Sequence, residues 1–270
     1  MSIKLKSLFA ALILVTGLCS CSQKESRIEV DRDIVFAETT DYRGLDINLK
    51  LDVYHADKSG DEARPAIIWV HGGGMYVGSK DAKWGLVSYL ADEMAQRNYV
   101  FFSIDYRLNP EWEATGAFAP TIRNAALDVA SAVDWVKTNA ATYCADPERI
   151  ILMGHSAGAE IISNYYYSNA LTPDSLFDKN SIVALIPISG NRLFYDGDSC
   201  SGKGQAKCLI LHGDLDDMNP LSDAEILLKQ IGDKGQLSVM KGNGHMWTEN
   251  DEQKSFVIEN IISFLSAIEN

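Results

Sequence analysis

Two patterns of hydrophobic and polar positions divide the chain. Residues 47–54 (I-N-L-K-L-D-V-Y) alternate apolar with polar side chains. That period of two predicts a strand with one solvent-exposed face. Residues 28–36 alternate less cleanly, and the two segments together predict an antiparallel hairpin at a sheet edge. Beyond residue 65 the pattern changes. Residues 66–70 (A-I-I-W-V), 100–104 (V-F-F-S-I), 150–153 (I-I-L-M), 182–188 (I-V-A-L-I-P-I) and 208–211 (C-L-I-L) are short, nearly continuous apolar runs. Strands buried on both faces read this way, which predicts a central, mostly parallel sheet. Helical periodicity lies between the runs, near 84–97, 122–140, 157–167 and 223–231. A last strand follows at 237–240, and a closing amphipathic helix at 252–268. Strand and helix alternating at this spacing predict the α/β class, with helices on both faces of the sheet. In such sheets the site lies at the carboxyl ends of the strands.

Composition sets bounds on this picture. The 270 residues are 46% hydrophobic and 23% charged, enough for one substantial core. A formal charge of −13 leaves no excess of Lys and Arg to neutralise phosphates, so nucleic acid is not an expected partner. The acidic balance reads as a solvated surface.

The first residues read as a targeting signal. Lys4 and Lys6 precede an apolar run at residues 8–18, too short to span a bilayer as a stable helix. The run ends Leu18-Cys19-Ser20-Cys21, which resembles the bacterial lipobox. That resemblance implies cleavage before Cys21 and a lipid on its sulfur, with simple secretion as the plainer alternative. The expected organisation is a signal at 1–20, a polar tether at 21–27 and one α/β domain at 28–270. Acyl chains would then provide the membrane attachment that an acidic domain cannot. Of the remaining cysteines, Cys200 and Cys208 flank a glycine-containing loop and form a candidate disulfide; unpaired thiols are equally compatible. No metal-ligand spacing is present, and no cofactor is expected.

The candidate chemistry follows two of the buried strands. The run at 150–153 leads into Gly154-His155-Ser156-Ala157-Gly158 and then a helical pattern. G-x-S-x-G between a strand and a helix makes a tight turn that lifts the serine hydroxyl above the sheet, with the Ala157 amide facing a developing oxyanion. The run at 66–70 ends in His71-Gly72-Gly73-Gly74, where glycines allow amides to be aimed into a cavity. A serine hydrolase needs such donors, each worth about 3 kcal/mol in the transition state. Gly73, Gly74 and Ala157 are the candidate oxyanion donors.

H-G-G-G followed by G-H-S-A-G resembles the hormone-sensitive-lipase and carboxylesterase branch of the α/β-hydrolases, and residues 128–149 resemble that branch's approach to the elbow strand. The resemblance covers most of the chain after about residue 46. It departs at Ala159, where the branch usually has glycine, and in the absence of a large helical cap.

The fold places its acid and then its histidine after the serine. Of the five histidines, His155 adjoins Ser156 and is expected to point elsewhere, His55 and His71 come too early, and His212 precedes the candidate acids. His245, in Gly242-Asn243-Gly244-His245, follows the last strand and precedes the closing helix, so it is the expected base. His212-Gly213-Asp214-Leu215-Asp216-Asp217 offers three carboxylates. The family pattern H-G-x-x-D implies Asp216 as the acid; Asp214 and Asp217 then read as turn residues.

A site without a cap suits small acyl groups, or esters carried on a bulky polymer. Trp84, Trp112, Arg192, Tyr195 and Trp247 are candidates for its mouth, although ordinary packing explains each aromatic as well. The small, capless form resembles bacterial acetyl-xylan and feruloyl esterases, which implies acylated polysaccharide as substrate. An arylformamidase-like or general small-ester hydrolase would use the same residues. A peptidase of the prolyl-oligopeptidase group and a non-catalytic binding module on this fold also stay open. Nothing in the sequence indicates an oligomeric state.

Overall fold

The computed structural model describes residues 27–57, 62–81, 86–168, 170–172, 177, 179–191, 204–245 and 250–269. The proposed signal, Cys21, Trp84, Arg192, Tyr195, Cys200 and Trp247 lie outside the described residues.

In chain order the strands are β1 (Ile28–Thr40), β2 (Asp46–Ala56), β3 (Arg64–Val70), β4 (Val100–Ile104), β5 (Ala145–His155), β6 (Ile182–Ile188), β7 (Lys207–Gly213) and β8 (Gly235–Met240). The helices are α1 (Leu86–Gln96), α2 (Trp112–Thr115), α3 (Phe118–Asn139), α4 (Ala157–Tyr167), α5 (Leu221–Ile231) and α6 (Asp251–Glu269). Among the described residues they build one eight-stranded sheet, ordered β1-β2-β4-β3-β5-β6-β7-β8. β1 and β2 form the expected edge hairpin, and β2 joins β4 antiparallel. All later pairings are parallel.

Every apolar run became an inner strand because helices cover both faces. α3, α4 and α5 pack one face through Ile122, Val129, Val133, Ile161, Ile162 and Leu227. α1 and α6 cover the other with Leu90, Met94, Val257, Ile261 and Leu265. Each such side chain, taken fully from water, contributes about 1.5–3 kcal/mol.

β2 departs from its sequence pattern. Alternation predicted one exposed face, yet everything from Leu49 to Ala56 except Lys50 is buried. β2 is the second strand of the sheet, and α1 packs against it. Its polar Asp52, fully buried, is matched instead of solvated. The carboxylate accepts from Lys80 Nζ at 2.8 Å and from Arg32 at 3.0 Å. The exposure its polarity suggested is replaced by ion pairing.

The sheet order creates a crevice. From β3 the chain crosses to β4 on one side; from β5 it proceeds to β6 on the other. The loops leaving β3 and β5 are therefore adjacent, at the switch point where such folds bind ligands. Val70 pairs with Gly154 there. The contact is close: a Cβ on Gly158 would lie 2.0 Å from the Val70 carbonyl oxygen, and one on Gly154 would lie 2.6 Å from the Gly158 backbone. β3, β5 and α4 thus meet backbone to backbone. Gly158→Ala must separate them, and should lower the thermal midpoint by about 5 °C or more, equivalent to at least about 2 kcal/mol. An unchanged midpoint in a melting experiment would contradict this packing.

Candidate active site

Ser156 sits between β5 and α4 with φ 54° and ψ −121°. This left-handed backbone is costly for a residue with a side chain. It is held because the Ser156 amide donates to Ile188 O at 2.9 Å, its carbonyl accepts from the Glu160 amide at 3.2 Å, and the flanking glycines permit the tight approach. The strain points the hydroxyl away from the sheet into the crevice.

Two remote segments meet it there. Ser156 Oγ–H donates to His245 Nε2 at 2.9 Å, and His245 Nδ1–H donates to Asp216 Oδ2 at 2.8 Å. Asp216 follows β7, and its carboxylate is shielded from solvent. Its other oxygen accepts from the Met218 and Asn219 amides at 3.1 and 2.8 Å, so the turn itself aims the carboxylate. His212, inside β7, donates from Nε2 to the Asn219 carbonyl at 2.7 Å and closes the same turn. Asp214 accepts from the Gly242 amide at 2.6 Å, tying the acid's loop to the loop of His245.

The glycine loop after β3 lies against this row. A Cβ on Gly72 would stand 3.2 Å from Ser156 Cβ, close enough that any side chain there would have to push its neighbours back. Gly73 and Gly74 have φ of 106° and 61°. Among the described residues the Gly73 and Gly74 amides have no hydrogen-bond acceptor, and Ala157 opens α4, where the first amides lack helical partners. The loop is clamped along its length. The Trp112 indole donates to Gly74 O at 2.6 Å, the Asn109 amide to Met75 O at 2.8 Å, and Tyr106 Oη–H to His71 O at 3.2 Å. At the far end Lys80 is anchored by its ion pairs to Asp52 and Asp33 and by its amide on Asp105. Burial alone would lower the Lys80 pKa; the hydrogen bonds that its ammonium donates to Asp52 and Asp33 outweigh it, and the net shift is upward.

The two other histidines nearby are electrically silent. Burial pushes the imidazoles of His71 and His155 down to about 4, with the neighbouring His245 adding to the effect at His155. Both therefore stay neutral at neutral pH. His71 stacks on Tyr106 and donates to Gly72 O. His155 was expected to point away from the site, and it does not. Its ring lies 5.3 Å from that of His245, and its Nε2 bonds the His245 carbonyl at 3.2 Å, steadying the loop of that histidine.

These groups line a cleft of about 390 Å³, whose walls also include the apolar Trp69, Met75, Leu86, Val87, Trp112 and Phe118 and the polar Glu113, Glu160 and Asn191. An activated hydroxyl beside undirected amides, in a largely apolar hollow, can attack a carbonyl and hold the resulting oxyanion. Among the described residues no cluster of His, Cys, Asp or Glu could hold a metal ion.

Comparison with known proteins agrees with this architecture. Esterase 2 of Thermogutta terrifontis superposes with a TM-score of 0.66, covering 90% of this chain and 95% of that one at 18% identity. The chain has the α/β-hydrolase fold. The BD-FAE family model matches residues 51–182 of this chain, from β2 to the start of β6. Secreted lipase 5 of Gibberella zeae is 30% identical over 171 residues, 57% of this chain and 31% of that protein. Mouse carboxylesterase 3B is 34% identical over 123 residues, 44% of this chain and 20% of that protein. The chain spans about a fifth to a third of the length of the curated relatives it matches.

The residues singled out in the sequence thus converge: Ser156, His245 and Asp216 in one hydrogen-bonded row, with Gly73, Gly74 and Ala157 around it. Of the candidate aromatics, Trp112 lines the cleft. Cys208 is buried in β7, and its proposed partner Cys200 lies outside the described residues. His155, Glu160 and the amides of Met218 and Asn219 were not anticipated. The elbow motif fixed only where His155 starts, and no local signal marks the others.

The carboxylate geometry separates the three acidic candidates. Asp216→Asn should lower kcat by roughly 10³–10⁴, because the amide cannot both accept from two backbone amides and hold the imidazole tautomer. Asp217→Asn, at an exposed position, should stay within about threefold of wild type. Equal losses in the two variants, measured by steady-state ester hydrolysis, would remove Asp216 from the acid's place.

Proposed function

We propose that the protein is a serine esterase that acts on carboxylic esters through an acyl-enzyme, with short acyl or aryl esters on carbohydrates as its substrates. The observation that carries this reading is the unbroken row Ser156–His245–Asp216 beside uncommitted amides. His245 takes the Ser156 proton as the hydroxyl oxygen attacks the ester carbonyl. Gly73, Gly74 and Ala157 donate to the oxyanion, and Asp216 stabilises the imidazolium. The tetrahedral intermediate collapses, the imidazolium gives its proton to the leaving alcohol, and water then releases the acid by the same steps in reverse.

The relatives by sequence are esterases and lipases, which supports the ester-cleaving part. The carbohydrate part rests on the resemblance of the motifs, the BD-FAE match and the absence of a large cap among the described residues. An uncovered cleft admits an ester held on a chain too large to enclose. We place the enzyme outside the cytoplasm on the strength of the secretory pattern at residues 1–20 and the secreted lipase among its relatives. In this reading Cys21 carries a lipid anchor. Among the described residues no helix is long and apolar enough to cross a membrane.

Wild-type enzyme should hydrolyse p-nitrophenyl acetate and release acetate or ferulate from acylated xylan. Ser156→Ala should lose at least about 10⁴-fold on each. Equal rates for wild type and Ser156→Ala would overturn the esterase reading. Turnover of the chromogenic ester with no release from xylan would overturn the carbohydrate reading alone.

A further inference from the structure

Glu160 stands in the active-site cleft with no task in the chemistry above. It lies one helical turn beyond Ser156 on α4, and its amide bonds the Ser156 carbonyl. Its side chain lines the cleft, yet the residue is only 7% exposed. Among the described residues its carboxyl group has neither a hydrogen-bond donor nor an ion-pair partner, and no Lys or Arg lines the cleft. Every other buried carboxylate near the site is matched: Asp52 by Lys80, Asp128 by Arg107, Asp216 by His245. Burying a carboxyl group without a partner is costly. The cost is reduced by holding the proton: burial, reinforced by Asp223 on α5, pushes Glu160 up to about 8.

A neutral carboxylic acid is a particular kind of recognition group. It offers one O–H donor and one carbonyl acceptor from the same rigid plane. Its natural complement both accepts and donates, as an alcohol or phenol hydroxyl does. An anionic substrate would meet a group that ionises against it. A cationic one would require two buried charges to be desolvated together. Trp112, Phe118 and Met75, which line the same cleft, are apolar and provide bulk without direction.

We propose that Glu160 is a specificity-determining residue that selects, by a paired hydrogen bond, substrates bearing an uncharged hydroxyl on the arm that enters its side of the cleft. This deepens the esterase reading and rests on it. A hydroxylated substrate would supply the partner that the described residues do not. A purely alkyl substrate would bury the acid with nothing to bond, and discrimination against partners lacking a hydrogen-bonding group is the strongest kind a site can achieve. Glu160 takes no part in proton transfer at the ester, so its effect should appear in selectivity between substrates.

The test compares matched esters on one enzyme preparation. The acyl arm is probed with p-nitrophenyl 3-phenylpropionate and its 4-hydroxyphenyl analogue, the alcohol arm with cyclohexyl acetate and its 4-hydroxy analogue. In the wild type, kcat/KM should favour the hydroxylated member of at least one pair by about tenfold. Glu160→Leu should bring that ratio to within about twofold of unity, and Glu160→Gln, which keeps a donor and an acceptor, should retain most of it. Because the ratio is taken on one preparation, partial misfolding of a variant cancels. Wild-type ratios near unity in both pairs would overturn the proposal. So would a ratio unchanged in Glu160→Leu, or an ammonium-bearing analogue preferred over the hydroxyl. Turnover of p-nitrophenyl acetate keeps the two readings apart: its absence in the wild type sinks the esterase, whereas turnover without discrimination sinks only the role of Glu160.

Discussion

The strained backbone of Ser156 is the constraint from which the rest of the site follows. A side chain at φ 54° and ψ −121° persists only where its surroundings determine it completely. Here the determination is steric and hydrogen-bonded together. Gly158 lies directly on the Val70 carbonyl, Gly154 lies on Gly158, and the serine amide is fixed to β6. Relaxing the turn would require β3, β5 and α4 to part, and Ile67, Ile68, Val70, Ile150, Leu152, Ile161 and Ile162 on them are fully buried. The core thus holds the hydroxyl in place by making every alternative cost packing.

The same contact brings in the second half of the site. Because α4 touches the end of β3, the loop leaving β3 has to run beside Ser156, and Gly72 passes within contact distance of its Cβ. The loop cannot drift, since it is tied at Gly74, Met75 and His71 on one side and at Lys80 on the other. The acid and the base arrive from β7 and β8, held by Asp214 to Gly242 and by His155 to the His245 carbonyl. Charge is distributed economically around this centre: two histidines kept neutral by burial, and a carboxylate screened from water yet met by two amides and an imidazole. Pre-set dipoles of this kind need no rearrangement when charge develops on a substrate.

The fold was legible because continuous apolar runs and their spacing carry topology directly, and the runs at 66–70, 100–104, 150–153, 182–188 and 208–211 all lie within inner strands. The elbow was legible because G-x-S-x-G has a steric meaning between a strand and a helix. Asp216 was separable from Asp214 and Asp217 only through a family pattern, since which carboxylate turns inward is decided by amides two and three residues onward. β2 misled because pairing with Lys80 and Arg32 lets a polar residue be buried, and alternation cannot register a partner far along the chain. The short α2 has too few residues to show a period. His155 and Glu160 were missed for a related reason. One reads as a motif filler and the other as a solvated helical position, and only the assembled cleft reveals what faces them.

The central claim is that three distant segments converge so that one imidazole activates one hydroxyl. Its most direct test is covalent trapping with a p-nitrophenyl alkylphosphonate, following nitrophenolate release and mapping the adduct by mass spectrometry. The account predicts one adduct per chain, on Ser156, forming at least about 10³-fold more slowly in a folded His245→Gln variant. An adduct on another residue, or an undiminished rate without His245, would contradict it.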